Sequence, residues 1–136
     1  MLSPPPSAAL GLLLCRPVLA DTPDSLLAGY QEQAQAEDSN FSGFEAARGE
    51  EQLFQNTHAN DWSCASCHTA NPAQDGKHTR TGKLIEPLAP AANAQRFTRL
   101  KKTEKWFRRN CKDVLERECT ALEKGDILTY LLTIKP

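Results

Sequence analysis

Two cysteines and a histidine stand together in the run Cys64-Ala65-Ser66-Cys67-His68. On one helical turn, the two thiols project from neighbouring positions and the histidine follows directly. Thiols at this spacing can each add to a vinyl group on one edge of a porphyrin, and the adjacent imidazole can then bind the iron. The Cys-x-x-Cys-His pattern is typical of c-type haem attachment. We therefore predict one covalently held haem c, with His68 as an axial iron ligand.

The same two cysteines are also compatible with a zinc site or a redox dithiol. A zinc site needs a second ligand pair at similar spacing, whereas Cys111 and Cys119 are eight residues apart. A thioredoxin-like dithiol needs a βαβ context, and the sequence shows no strand pattern. Haem attachment is therefore the favoured interpretation.

The first twenty residues have the pattern of a cleavable export signal. Leu10 to Leu14 form an apolar run that is too short to span a bilayer. Val18-Leu19-Ala20 then offers small residues before a cleavage site. No Lys or Arg precedes Arg16, so the usual basic start is missing. The alternative is a lipoprotein in which Cys15 is lipidated.

This leader sets the predicted domain organisation. We expect residues 1–20 to be a signal peptide, residues 21–136 to be a single monohaem domain, and the protein to lie in the periplasm. Removal of the leader leaves two cysteines outside the haem motif, Cys111 and Cys119. An even remainder in an oxidising compartment predicts one disulfide.

Helical signals dominate the rest of the chain. Thr22 before Pro23 predicts the start of a first helix, and Ser42 with Glu45 predicts a capping box for a second. Residues 103–109 predict a third helix. Another capping box, Thr120 with Glu123, predicts the last one. The predicted fold class is therefore all-α.

A long stretch rich in helix breakers separates these helices. Residues 69–96 contain three prolines and two glycines and are too long for an ordinary connector. In a small haem protein we expect such a loop to wrap the cofactor, with Leu84, Ile85 and Leu88 facing it. Two basic residues in the loop, Arg80 and Lys83, are candidate partners of the haem propionates.

Charge is strongly segregated although the net charge is only −1. Residues 21–61 carry nine acidic groups and one basic group, and residues 96–112 carry eight basic groups and one acidic group. This dipole could orient an acidic redox partner. It could equally be a solvated helix face that also neutralises the propionates. An exported protein with this net charge is not expected to bind nucleic acid.

The composition alone does not identify the second axial ligand of the iron. The single methionine is Met1, which the leader would remove, so the His/Met ligation of many electron-transfer cytochromes is excluded. The candidates that remain for this ligand are His58, His78, Asn110 and a lysine, or the position has no protein ligand.

A family resemblance narrows this choice. Residues 64–134 resemble the small cytochrome family of sphaeroides haem protein and cytochrome c″. The shared stretches are CASCHTANPA, TRTGKLIEPLAP, RFT, RNCKDVLEREC and EKGDILTYLL. The resemblance implies a class I cytochrome c-like fold and one haem. It also implies the disulfide Cys111–Cys119 and a distal ligand just before its first cysteine, here Asn110 where the c″ branch has His.

The resemblance also implies a function. An amide oxygen is a hard donor that suits ferric better than ferrous iron, and in this family the distal residue leaves on reduction. We expect small ligands such as oxygen or nitric oxide to bind then, and electrons to be exchanged with a partner, either a dihaem c-type cytochrome or a membrane cytochrome b. Two alternatives remain: a plain electron carrier with a redox-linked ligand change, or a small enzyme that converts oxygen or nitric oxide.

Overall fold

The computed structural model describes residues 1–4, 11, 14–15, 17 and 19–136. Residues 10, 12 and 13 of the predicted apolar run, and half of the leader as a whole, therefore lie outside the described residues, and the signal peptide stays a prediction. None of the described helices is both long and apolar enough to cross a bilayer.

The described chain is helical at both ends and irregular in the middle. Its α-helices are α1 (Pro23–Glu37), α2 (Ala46–Arg48), α3 (Cys64–His68), α4 (Leu100–Leu115) and α5 (Ala121–Thr133). A π-helix (Gly49–Gln55) continues α2, and a short 3-10 helix (Ala59–Asp61) precedes α3. The residues between α3 and α4 form one antiparallel pair of two-residue strands, β1 (Gly76–Lys77) and β2 (Leu84–Ile85), with Gly76 opposite Ile85. The all-α prediction is confirmed.

The helices at the two ends of the domain begin where the capping signals predict. The Thr22 side chain accepts a hydrogen bond from the Ser25 N–H, and Pro23 occupies the first helical position of α1. The Thr120 side chain accepts from the Glu123 N–H, while the Glu123 carboxylate accepts from the Thr120 N–H. These reciprocal bonds satisfy backbone donors that have no partner inside the helix.

The second helix begins later than predicted. Ser42 does not cap it; the chain stays non-helical through Gly43, whose φ is +123°, and α2 starts at Ala46. The reason is a long-range contact, because the Glu45 N–H donates to the buried Asp126 carboxylate at 2.8 Å instead of to Ser42. The π-helix that follows brings Gly49 against the Asp126 main chain so closely that a side chain there would overlap the Asp126 carbonyl.

The third predicted helix is longer than residues 103–109. α4 runs from Leu100 to Leu115 and ends at Glu116, which adopts the left-handed conformation with φ +57°. The helix therefore carries both Trp106 and Asn110, four residues apart and so on one face. Its basic exposed side and its buried residues Thr103, Phe107, Cys111 and Val114 make it strongly amphipathic.

A buried ion pair joins α2 to α5. Asp126 is 2% exposed. Its carboxylate accepts from Arg48 Nε at 2.5 Å and from Arg48 Nη2 at 2.9 Å. The same guanidinium donates to the Gly43 carbonyl at 3.2 Å. Chiefly because of the hydrogen bond to Asp126, the pKa of Arg48 lies above its ordinary value. The single basic residue of the acidic segment 21–61 is thus a structural one.

A second polar cluster joins α1, α4 and α5. Glu104 accepts from the Tyr30 hydroxyl and from Lys124 Nζ, each at 2.7 Å. Tyr30 also packs edge-on against Phe107, with ring centroids 6.1 Å apart. Burial alone would raise the pKa of Glu104, but the hydrogen bonds from Lys124 and Tyr30 outweigh it and hold the pKa below its ordinary value.

Removal of the buried carboxylate should destabilise the domain strongly. Asp126→Ala leaves Arg48 and the Glu45 N–H without their partner, and we expect the free energy of unfolding to fall by about 3–5 kcal/mol. Glu45→Ala is the matched control, because Glu45 pairs with the same guanidinium at 3.1 Å but is 61% exposed in its side chain. We expect it to cost less than about 1 kcal/mol. Equal losses in denaturant unfolding would contradict this account.

The Glu104 cluster should make stability fall in acid. Because the folded pKa of Glu104 lies below its ordinary value of 4.5, its contribution is complete above about pH 4.5 and is lost as the pH falls further. Glu104→Gln should therefore flatten the acid limb of the unfolding free energy plotted against pH. Glu118→Gln, at an exposed carboxylate, should leave that limb unchanged. An acid limb of unchanged slope in Glu104→Gln would disprove the assignment.

Candidate functional site

The predicted attachment motif forms the one-turn helix α3. Ser63 and Ser66 make a capping box at its start, in which the Ser63 N–H donates to Ser66 Oγ at 2.9 Å. Cys64 and Cys67 are both free thiols and are both partly buried. Strand β1 packs directly on this helix, since a side chain at Gly76 would overlap the Cys67 carbonyl. The two thiols are therefore held rigidly, three residues apart on one helical turn.

His68 has an uncompensated ring nitrogen. The residue is 3% exposed, and its Nε2 is the one fully buried side-chain nitrogen or oxygen without a hydrogen-bond partner among the described residues. Burial, and secondarily the charge of Arg96, lower the pKa of His68 to about 4, so the imidazole is neutral at pH 7. A buried, neutral, unpartnered imidazole nitrogen is the donor that an iron ligand requires.

Helix α4 faces α3 across an open cleft. The rings of His68 and Trp106 lie 6.0 Å apart between their centroids. On the side of Cys67 the cleft, of about 380 Å³, is lined by Trp62, Ser63, Cys64, Cys67, His68, His78, Trp106, Asn110, Asp113 and Val114. On the other side it is lined mainly by apolar residues, among them Leu53, Phe107, Leu115 and Ile127. Both sides share Cys64 and Asn110, so the thiols and the predicted distal residue open onto one space.

The Asn110 side chain is oriented by its own helix. Its Nδ2 donates to the Trp106 carbonyl at 2.8 Å. Because a carbonyl can only accept, this bond fixes the amide with its nitrogen toward the helix. Oδ1 receives no hydrogen bond from the described residues. This oxygen is therefore available as a ligand atom for a metal ion. The structure thus brings Asn110 and His68 to the same cleft, as the predicted ligation requires.

Each of the other two histidines has one ring nitrogen in a hydrogen bond with the backbone. His78 lines the cleft, but its Nδ1 accepts from the backbone N–H groups of Arg80 at 3.1 Å and Thr81 at 3.2 Å. Its proton therefore resides on Nε2, which makes Nε2 a hydrogen-bond donor and not a metal donor. His58 is exposed and its Nε2 lies 2.7 Å from the Gln52 carbonyl. No lysine lines either side of the described cleft.

The loop residues predicted around the haem have different positions. Arg80 stacks over the Trp62 ring at 5.2 Å from its centroid and lies 3.9 Å from the Asp113 carboxylate. Lys83 is exposed and outside the cleft lining. Of the apolar residues, Leu88 is buried, Ile85 is half-buried and Leu84 is 67% exposed. The propionate role of Arg80 and Lys83 stays a prediction.

A disulfide lies directly beside the distal residue. The structure contains the bond Cys111–Cys119, with Cα atoms 5.7 Å apart. Cys111 is buried on α4, and Cys119 lies just before α5. The crosslink therefore ties the end of α4 that carries Asn110 to the last helix.

Arg96 is the site residue that motif analysis missed. It is half-buried, and its charge reaches His68. The sequence signal was present but unspecific, because Arg96 is only the first of the eight basic residues of segment 96–112.

The donor set fits haem better than the other interpretations of the motif. Among the described residues no group of three or more His, Cys, Asp or Glu side chains could hold a metal ion. Burial raises the pKa of the Cys64 thiol to about 12, so it lacks the thiolate character of a redox dithiol. Two thiols, one orphaned imidazole nitrogen and an apolar cleft are what a covalently attached haem needs.

Comparison with known proteins points in the same direction. Residues 39–131 match the model of a family described as a domain of unknown function, DUF1924. The chain is similar to the cytochrome c-type protein SHP of Cereibacter sphaeroides, with 43% identity over 128 residues that cover 90% of this chain and 93% of SHP. It is also 46% identical to cytochrome c″ of Methylophilus methylotrophus over 80 residues, covering 59% of this chain and 56% of that protein.

Solved structures of the same two proteins share the fold. Oxidised cytochrome c″ superposes with a TM-score of 0.76 at 34% identity, covering 84% of this chain and 95% of that one. Oxidised SHP, described as an oxygen-binding cytochrome c, gives 0.72 at 40% identity, covering 83% and 97%. A solution structure of cytochrome c″ that addresses haem-ligand detachment gives 0.71 at 35% identity, covering 84% and 94%.

The choice between Asn110 and the histidines can be tested on the ferric protein. Asn110→Ala should remove the free oxygen donor and convert the ferric absorption spectrum from low-spin to high-spin. His78→Ala and His58→Ala should stay low-spin, because backbone groups already occupy Nδ1 of His78 and Nε2 of His58. A low-spin Asn110→Ala protein together with a high-spin His78→Ala protein would reverse the assignment.

Proposed function

The chain belongs to the family of cytochrome c″ and SHP and is a c-type cytochrome with one covalently bound haem, and from this we propose that Asn110 binds the iron opposite His68 only in the ferric state. Cys64 and Cys67 would hold the haem through thioether bonds, and His68 would bind its iron. The haem supplies an iron that carries one electron and coordinates small molecules. The observation that carries the proposal is the free Asn110 Oδ1 in the cleft shared with His68.

Detachment of Asn110 follows from the chemistry of its donor atom. An amide oxygen is hard and neutral, and it prefers ferric to ferrous iron. Asn110 therefore leaves the iron on reduction, through rotation of its side chain. Support comes from cytochrome c″, whose solution structure addresses haem-ligand detachment.

The position that Asn110 leaves is then open to small ligands such as oxygen or nitric oxide. The cleft around it is lined by Trp106, Val114 and other mainly apolar side chains, which favours uncharged diatomic molecules over ions. The description of SHP as an oxygen-binding cytochrome c supports the same property here.

The disulfide limits how far Asn110 moves. Cys111–Cys119 joins two residues eight positions apart, directly after Asn110. Its entropic contribution to stability is on the order of 2–3 kcal/mol. Because Cys111 is buried and crosslinked, the α4 backbone keeps its place while the Asn110 side chain rotates. Rebinding on oxidation is then an intramolecular step over a short distance.

The charge layout supports electron exchange with a partner cytochrome in the periplasm. The basic residues of segment 96–112 lie mostly on the exposed side of α4, the helix that carries Asn110. An acidic surface is therefore attracted to the distal side of the cleft. A dihaem c-type cytochrome or a membrane cytochrome b is the proposed partner.

One observation favours a second candidate, conversion of oxygen or nitric oxide. The protonated Nε2 of His78 is a hydrogen-bond donor on a residue that lines the cleft, and the sequence by itself showed no such group. Steady-state consumption of either gas with excess reductant tests this candidate. Consumption that is abolished in His78→Phe would favour an enzyme over a carrier.

The ferrous protein provides the decisive measurement for ligand detachment. The wild type should be low-spin when ferric and five-coordinate when ferrous, and the ferrous spectrum should shift on addition of carbon monoxide. Asn110→His is the matched variant, because the c″ branch has His at this position; its ferric spectrum should be that of a low-spin bis-His haem. A ferrous wild type that stays six-coordinate and ignores carbon monoxide would disprove detachment.

A further inference from the structure

A second open cleft lies on the far side of Trp106 from the thiols. It measures about 530 Å³ and contains neither Cys64 nor Cys67 in its lining. Three of its lining residues are cationic, Arg96, Arg99 and Lys102, against one carboxylate, Glu86. Trp106 is the residue that it shares with the thiol side of the haem cleft. The two clefts therefore adjoin at Trp106.

Arg96 is fixed in this second cleft without an anionic partner. Its Nε donates to the Pro87 carbonyl at 3.0 Å and its Nη2 to the Glu86 carbonyl at 2.8 Å. It takes part in none of the ion pairs formed among the described residues. Burial lowers the pKa of this guanidinium, so a positive charge is held in a partly desolvated position with one nitrogen, Nη1, unused.

The backbone next to Arg96 is strained. Phe97 has a φ of +58°, which is unfavourable for a bulky residue. It is nevertheless 5% exposed and packs edge-on against Trp106, with ring centroids 6.1 Å apart. Strain of this kind persists where surrounding contacts determine the conformation, and it is frequent at ligand sites. Here it directs Phe97 toward the core and leaves Arg96 on the cleft.

The order of these groups matches the order of substituents on a haem. The vinyl groups that form thioethers and the two propionates lie on opposite edges of the macrocycle, with the iron between them. In the structure the thiols lie on one side, His68 and Trp106 in the middle, and Arg96 on the other side. Arg80 lies on the thiol side, because its neighbour Thr79 places Oγ1 at 3.7 Å from Cys67 Sγ.

We propose that Arg96 binds the haem propionates, with Arg99 and Lys102 at the rim of the same cleft. The inference rests on the attached haem and does not depend on Asn110 detachment. A fixed cation beside the propionates offsets their negative charge near the iron and raises the reduction potential. It also keeps the propionates ionised, because a neighbouring positive charge lowers a carboxyl pKa.

The reduction potential distinguishes Arg96 from the other arginines. Arg96→Gln should lower the potential and make it depend more steeply on pH between pH 5 and 8, since a propionate without its cation takes up a proton in that range. Arg108→Gln is the matched control: it removes the same charge from a side chain that is 64% exposed and outside both clefts. Arg80→Gln tests the alternative, at a side chain of equal exposure.

The results expected for these variants distinguish Arg96 from Arg80 and Arg108. Shifts confined to Arg96→Gln support the proposal. An Arg96→Gln protein that behaves like Arg108→Gln, or a larger shift in Arg80→Gln, overturns it. If Arg96→Gln fails to fold, Arg96→Lys keeps the charge and loses the planar fork. The resonance Raman band of propionate bending should then move in Arg96→Lys and stay in Arg108→Lys. An unmoved band in Arg96→Lys would overturn the proposal independently of potential and of Asn110.

Discussion

A single buried nitrogen, Nε2 of His68, imposes the constraint on which the rest of the structure depends. A polar atom sealed from water without a partner costs free energy, and the fold leaves this one unpaired among otherwise well-satisfied groups. In the proposed site, the iron of the covalently bound haem is the partner that offsets this cost. The capping box of α3 and the close approach of Gly76 hold the nitrogen and the two thiols in one rigid unit.

Helix α4 forms the wall of the cleft opposite α3. Its backbone is anchored at both ends, whereas the Asn110 side chain takes part in none of these anchors. Glu104 ties its first half to α1 and α5 through Tyr30 and Lys124, and the disulfide ties its second half to the start of α5. Between these anchors Trp106 and Asn110 face the cleft one turn apart. Such a helix can lose the ligand bond of Asn110 without unfolding, because none of its anchors involves that residue.

The arginines of this small domain lie in different surroundings. Arg48 is buried against Asp126 and serves the packing of α2 on α5. Arg80 lies on Trp62 at the thiol end, whereas Arg96 lines the adjoining cleft beyond Trp106. The remaining basic residues of α4 are solvent-exposed. The basic residues therefore divide into one that serves packing, those that line the two clefts, and those that are exposed to solvent.

The sequence by itself determined the local features. The spacing of Cys64, Cys67 and His68 specified haem attachment. The N-cap Thr22 before Pro23 and the capping box at Thr120 specified where α1 and α5 begin. All of these signals depend on atoms a few residues apart. The lack of a second methionine excluded His/Met ligation, and the resemblance pointed to Asn110. Tertiary structure alone decided what depends on distant partners. Asp126 delayed the start of α2, backbone contacts protonated His78 on Nε2, and folding separated Arg80 from Arg96. These outcomes escaped prediction because each rests on contacts or burial in the folded chain that no local pattern encodes.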